Sequence, residues 1–248
     1  MPFNTKTIAS KTERLAKWIA HAGYCSRRHA ERLIQDGLVS VDGEITLIPQ
    51  TPVSNDNVII VEGNVLRQNK VQLWLYHKPS GLVTTHADPE GRPTVFENLP
   101  AHLPHVISIG RLDLHTEGLL LLTNFGPLAR KFEHPSSKLT RTYHVRVYGA
   151  LTDIMCDMLA KGLEVDGVSY APIEVTQVKG EGRNQWIEMI LTEGKNREIR
   201  NVLGYFHLRI NKLIRTAYGP FSLGTLKPGE VREVNPKTVA DLMKTFNL

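Results

Sequence analysis

The stretch Ile109-Gly-Arg-Leu-Asp-Leu-His-Thr-Glu-Gly-Leu-Leu-Leu-Leu-Thr123 places one carboxylate, Asp113, just ahead of an aliphatic run. A carboxylate entering a buried strand is partly desolvated, which raises its pKa unless a cation opposes the shift. Such a group can act as a nucleophile or a base. Asp113 or Thr116 could equally cap a turn, and spacing alone leaves both readings open. Glu117 offers a second carboxylate, the pair a glycoside hydrolase would use. However, Gly118 and the leucines imply extended chain, which does not bring an i, i+4 pair together as a helix face does. The second candidate is Glu193-Gly-Lys-Asn-Arg-Glu-Ile-Arg200. In a helix beginning near Lys195, Arg197 and Arg200 are i, i+3 neighbours while Ile199 and Leu203 face inward. The alternative is a solvated basic face with Glu198 as internal partner. The third, Arg141-Thr-Tyr-His-Val145, puts Tyr143 on a strand, where it is either a core or surface aromatic or part of a site.

Other chemistries lack their residues. No Gly-x-x-x-x-Gly-Lys-Ser/Thr or helix-opening Gly-x-Gly-x-x-Gly occurs, and no Gly-x-Ser-x-Gly elbow. The ten histidines include no His-x-x-x-His or His-Glu-x-x-His pair, so a metal site has little support. Two cysteines, Cys25 and Cys156, exclude a disulfide framework and a zinc finger, as expected of a reducing cytosol. The longest unbroken aliphatic run, Leu119 to Leu122, is far short of the ~18–20 apolar residues that span a bilayer. Lacking an apolar stretch behind Lys6, the N-terminus is not expected to be a secretory signal. The net charge is +5, and it is unevenly placed. Residues 1–35 hold seven basic side chains against two acidic ones, and the other 213 residues balance at 23 of each. A polyanion-binding module ahead of a nearly neutral body is the natural expectation, a solvated basic helix face the plainer one.

The elements that must position these residues can be read in order. Residues 1–11 are polar and aperiodic, a mobile tail. Thr12 is placed to cap a helix carrying Leu15, Trp18, Ile19 and Ala22 inward, ended by Gly23. Ser26 caps a second helix with Ala30, Leu33 and Ile34 inward, stopped by Gly37. A hairpin turning at Asp42-Gly43 and a strand at Val58–Val61 complete an α-α-β unit over 12–66. Arg27, Arg28 and Arg32 lie at the start and along one side of its second helix, where a helix N-terminus and cations suit phosphate. A polar linker over 67–72 leads into a body over 73–248. There strands are expected at Val71–Tyr76, Gly118–Thr123, Arg141–Tyr148, Gln185–Thr192, Leu208–Ile214 and Gly229–Val234. Lys78-Pro-Ser-Gly81 and Asp166-Gly167 read as turns. Helices are expected from Pro127 to His134, over Thr152–Lys161 with Met155, Met158 and Leu159 inward, over Lys195–Phe206 and over Thr238–Phe246. Strands outnumber helices and hairpin turns recur, which argues for an α+β body with a mostly antiparallel mixed central sheet flanked by helices.

Together these segments resemble a known family. Residues 12–60 are similar to an S4 RNA-binding domain, through Arg14-Leu-Ala-Lys-Trp-Ile-Ala-His-Ala-Gly23, Ser26-Arg-Arg-His-Ala-Glu31 and Gly37-Leu-Val-Ser-Val-Asp-Gly43. From about residue 71 the chain resembles the ribosomal RNA pseudouridine synthases of the RsuA/RluB branch. The signatures are Tyr76-His-Lys-Pro79, Gly110–Thr123, Arg141–Val145, Glu193–Arg200 and Leu213-Ile-Arg-Thr-Ala-Tyr-Gly219. Asp88-Pro-Glu-Gly-Arg-Pro-Thr-Val-Phe96 looks most like the subgroup acting on large-subunit (23S) rRNA, while Phe125 and Asn201 depart from the usual pattern. The resemblance implies Asp113 as catalytic aspartate, Tyr143 as base-stacking tyrosine, Arg200 as the cation paired with the aspartate, and Leu213 as an apolar pocket wall. Arg111, Lys195 and Arg197 are then expected to contact substrate, and Lys17, Arg27, Arg28 and Arg32 to contact RNA. It further implies a cofactor-free isomerase, monomeric and cytoplasmic, whose partner is ribosomal RNA or an assembling subunit. The rivals are a non-catalytic rRNA-binding or assembly factor and a hydrolase built on Asp113 and Glu117.

Overall fold

The computed structural model describes residues 12–179 and 184–248, so the expected mobile tail, residues 1–11, lies outside the described residues. The chain divides into two units. One holds Met1–Val71 with Leu103–Val106 and Asn124–Gly126, the other Gln72–His102, Ile107–Thr123 and Pro127–Leu248.

The first unit contains β1 (Glu13–Arg14), α1 (Leu15–His21), α2 (Arg27–Gln35), β2 (Val39–Val41), β3 (Glu44–Ile45), β4 (Pro52–Val53), β5 (Ile59–Val61) and β6 (Asn64–Leu66). β3-β2-β5-β6 form an antiparallel sheet, and β1 pairs with β4. Leu15, Trp18, Ile19, Ala30, Leu33 and Ile34 of the helices pack on Val39, Ile59 and Val61. The Ser26 hydroxyl accepts from the His29 amide at 3.2 Å, capping α2 as expected. Thr12 does not cap α1: the pairing of Glu13–Arg14 with Pro52–Val53 keeps that chain extended, and Arg14 becomes the N-cap without a side-chain hydrogen bond. Asp42 and Gly43 both adopt positive φ, 53° and 90°, as a tight hairpin turn requires.

The second unit contains β7 (Leu73–Lys78), β8 (Ile107–Ile109), β9 (Glu117–Thr123), α3 (Gly126–Glu133), β10 (Arg141–Tyr148), α4 (Asp153–Lys161), β11 (Leu163–Val165), β12 (Val168–Tyr170) and β13 (Glu174–Lys179). It continues with β14 (Asn184–Leu191), α5 (Glu198–Tyr205), β15 (Arg209–Tyr218), β16 (Phe221–Ser222), β17 (Val231–Glu233) and α6 (Pro236–Thr245). Among the described residues the main sheet runs β13-β14-β10-β15-β9-β7-β17, with β16 on β15 and β8 on β9. Every pairing is antiparallel except β15 with β9, which meet only at Ile214/Glu117 and Arg215/Gly118. The α+β class with a mixed, mostly antiparallel sheet is therefore as expected. β9 is buried along Gly118–Thr123, so the aspartate segment ends in the centre of the sheet.

Three expectations are corrected and one strand is added. β7 begins at Leu73 and runs to Lys78, because Lys78 continues the ladder opposite Gly118 instead of opening a turn. α5 begins at Glu198, not near Lys195, because Arg197 sits in left-handed geometry at φ 51°. Met158 is exposed, and Leu159 is the α4 residue that enters the core. β13, which no strong alternation announces, is held by pairing with β14. Among the described residues no helix is long and apolar enough to cross a membrane.

Candidate active site

The segment between β8 and β9 is pinned through its main chain. Glu133 Oε1 accepts from the Gly110 amide at 2.7 Å. The Thr84 hydroxyl donates to the Leu112 carbonyl at 2.9 Å and accepts from the Leu112 amide at 3.3 Å. The Gly81 amide donates to Leu114 O at 2.8 Å, and the Thr116 amide to Asp113 O at 3.0 Å. Lys78 Nζ donates to the carbonyls of Asp113 (3.1 Å), Leu114 (3.4 Å), Thr116 (2.9 Å) and Pro79 (3.0 Å). Lys78 is fully buried, and burial pulls its pKa down to about 8 against the charges of Asp113 and Glu117.

This framework fixes where the Asp113 carboxylate stands. Its Oδ2 lies 3.8 Å from Arg200 Nε and 3.8 Å from Arg197 Nη1. Arg200 also donates from Nη2 to the His115 carbonyl at 3.2 Å, so one guanidinium ties α5 to the aspartate segment. Its buried Nε has no hydrogen-bond partner, being at ion-pair but not hydrogen-bond distance from the carboxylate. Burial lowers the Arg200 pKa, with the Arg197 charge adding to that effect. The left-handed turn at Arg197, a conformation uncommon for non-glycine residues, starts α5 in the first turn of which Glu198 is followed two residues later by Arg200.

Asp113 opens onto a cavity of about 720 Å³. Tyr143 of β10, Leu213 of β15, and Arg111, Lys195, Arg197 and Arg200 all line it. Leu213 is buried opposite Val145, and Tyr143 packs on the same apolar cluster. Arg111 is exposed at the rim. Lys195 is drawn sideways, donating to Glu193 at 3.0 Å and to Ser169 O. Glu117, by contrast, is not among the lining residues and pairs with Lys212 at 3.2 Å. Sequence reasoning gave no role to several groups that build the site: Lys78, Thr84, Glu133, Glu193 and Arg215. The buried Arg215 donates from Nε to Leu119 O at 2.7 Å, and its guanidinium carbon lies 4.9 Å from the Tyr218 ring centroid. A lysine inside an otherwise apolar strand sequence was the available signal for Lys78. Thr84 and Glu133 act through long-range contacts without a local signature, whereas Glu193 and Arg215 lie inside motifs whose local pattern gave them no role. No group of three or more His, Cys, Asp or Glu placed to hold a metal exists among the described residues.

In the first unit, Lys17 pairs with Glu13 at 3.2 Å and Arg27 with Glu31 at 3.1 Å. Arg28 and Arg32 are exposed on α2.

The chain as a whole can be compared with known proteins. The family described as RNA pseudouridylate synthase matches residues 72–205, and the S4 domain matches residues 13–68. An uncharacterized RNA pseudouridine synthase of Rickettsia felis is 54% identical over 226 residues, covering 91% of this chain and 98% of that protein. Ribosomal large subunit pseudouridine synthase B of Yersinia pestis is 39% identical over 218 residues, covering 85% of this chain and 69% of that protein. A crystal structure of a pseudouridylate synthase shares the fold at a TM-score of 0.66 and 24% identity, covering 93% of this chain and 99% of that one.

Proposed function

The chain belongs to the RNA pseudouridylate synthase family, with an S4 domain ahead of it, and from that premise we propose that it converts a uridine of ribosomal RNA, in the large subunit, to pseudouridine. The reaction breaks the N1–C1′ bond, turns the base and joins C5 to C1′. A proton leaves C5 and one is gained at N1, so atoms and electrons balance within the nucleotide.

The observation that carries this reading is one carboxylate, Asp113, set between two guanidinium groups on a cavity walled by Tyr143 and Leu213. Both cations approach Oδ2, leaving Oδ1 as the oxygen to meet the ribose or the base. Arg200 and Arg197 stabilise the ionised form during that encounter. Ion-pair contacts of 3.8 Å commonly tighten once substrate is bound. A uridine inside a stack cannot reach Asp113, so it must be swung out of the helix. Tyr143 then holds it by its face, a contact worth about 1–3 kcal/mol. Arg111 and Arg197 meet the flanking backbone. The S4 unit binds rRNA, free or in an assembling subunit, in the cytoplasm. The hydrolase alternative loses support because Glu117 is engaged by Lys212 and does not line the cavity.

Asp113→Asn tests the reading. Pseudouridine formation is expected to fall below detection while RNA affinity stays within a few-fold of wild type. Turnover near the wild-type rate would remove Asp113 from the mechanism, and release of free uracil by the wild-type protein would indicate hydrolysis.

A further inference from the structure

Glu198 is a buried carboxyl, 4% exposed, on the cavity wall between the two arginines that face Asp113 in sequence order. Its Oε2 accepts from the Lys195 amide at 2.9 Å, and its own amide donates to the Lys195 carbonyl at 3.3 Å. This reciprocal pair closes the Lys195–Glu198 turn. The other oxygen, Oε1, is buried and has no donor among the described residues. An anionic oxygen left so would carry a desolvation penalty. The group within hydrogen-bond reach of Glu198 is another carboxyl, that of Glu193. Two carboxyl groups can hydrogen-bond to one another only with a proton between them.

The two carboxyls are not equivalent. Glu193 accepts from the Ala171 amide at 2.8 Å and pairs with Lys195 Nζ at 2.9 Å. Burial raises its pKa, but these donors outweigh burial and hold it below the usual value. Glu198 has the Lys195 amide and, more weakly, the Lys195 charge to stabilise its anion, and that ammonium is held by Glu193 and Ser169. We propose that Glu198 acts as a neutral carboxylic acid, donating its proton to Glu193, and that this bond sets the turn from which Arg197 and Arg200 reach Asp113. Glu198 is thus a positioning residue. Burial first, and the Glu193 charge after it, push its pKa to about 7. The sign follows: below that value the proton and the bond are present, and both are lost as pH rises through it. Ionised Glu198 is repelled by Glu193, which opens the turn that carries Arg197 and Arg200. The other charged or titratable groups facing the same cavity include Lys195 in its own segment, Arg141 and Tyr143 of β10 and Arg215 of β15, while Tyr170 of β12 lies against the Lys195 ammonium.

The consequence for turnover rests on the function proposed above, whereas the protonation state does not, so two readouts are needed. Carbon-13 NMR titration of glutamate-labelled protein, assigned with Glu198→Gln, should show one carboxyl titrating well above the ordinary glutamate range. In Glu193→Gln that resonance should move to lower pH. Titration of Glu198 near 4 would overturn the proposal whether or not the protein makes pseudouridine. In turnover, Glu198→Gln, which keeps a neutral donor, should retain activity within about twofold at pH 6.5 and lose the alkaline fall of kcat. Glu198→Ala should lower kcat about tenfold or more with little change in KM. Equal loss in the Gln and Ala variants, or an alkaline limb unchanged in the Gln variant, would also overturn it.

Discussion

Lys78 touches none of the reacting atoms, yet four main-chain carbonyls of two segments converge on its ammonium. A buried charge is tolerated only when its donors are used, and here all three N–H directions are. Its depressed pKa, about 8, means that the charge costs stability at neutral pH, a cost that fades as pH rises from there towards the ordinary lysine value. Lys78→Met therefore removes that cost together with the hydrogen bonds, and the carbonyls left without donors decide the sign. The expected loss is about 2 kcal/mol in urea unfolding, modest for a fully buried residue. The larger effect falls on rate. A shift of about 1 Å in the reacting carboxylate is enough for roughly 100-fold in kcat, with KM nearly unchanged. Single-turnover assays on the folded variant separate the two, and a variant with normal kcat would show that the segment holds Asp113 without Lys78. Asp113, Arg200, Tyr143 and Leu213, which the family resemblance implies and local spacing alone left open, all line one cavity. Lys78, Thr84 and Glu133 were not legible in the sequence, because each acts through backbone atoms distant in the chain.

Elements carried their own signals where a period or a cap decided the structure. Arg141–Tyr148 alternates and forms β10 with those bounds, and Ser26 caps α2. Where a tertiary contact decided, the sequence misled: α5 starts three residues late because its first turn is set by Glu198 and the strained Arg197. The parallel crossing of β9 and β15 is the least legible feature and the most constrained. Gly118 there has φ 104°, and a Cβ on it would meet Arg215 O at 2.3 Å and Arg215 N at 2.7 Å. Two backbones approach because a side chain is missing from one. Gly118→Ala combines this overlap with an unfavourable φ, and should cost about 3–5 kcal/mol in urea unfolding. Gly91→Ala is the control: it shares a positive φ, 68°, but meets nothing within 4 Å, and should cost about 1 kcal/mol. Equal costs for both would mean that the sheet yields at the crossing.

At the scale of the whole molecule, the excess charge of the sequence resides in its first 35 residues, and the rest is balanced. The structure divides those cations by what they already hold. Lys17 and Arg27 are paired with Glu13 and Glu31, whereas Arg28 and Arg32 stand exposed on α2. A paired cation must exchange a carboxylate for a phosphate on binding, so it contributes less to affinity than a solvated one. The electrostatic contribution of α2 should then come mainly from Arg28 and Arg32. Each phosphate contact lowers the slope of log K against log salt by roughly 0.7–0.9. Replacing both arginines with alanine should therefore flatten that slope by about 1.4–1.8. Arg27→Ala alone should change it by less than one such step. The loss of affinity should be similar for RNAs of different sequence, since phosphate contacts carry no base information. Filter-binding titrations across a salt series measure all of this. An unchanged slope in the double variant would place the RNA backbone on a different surface, and a loss confined to one sequence would give Arg28 or Arg32 a base contact instead.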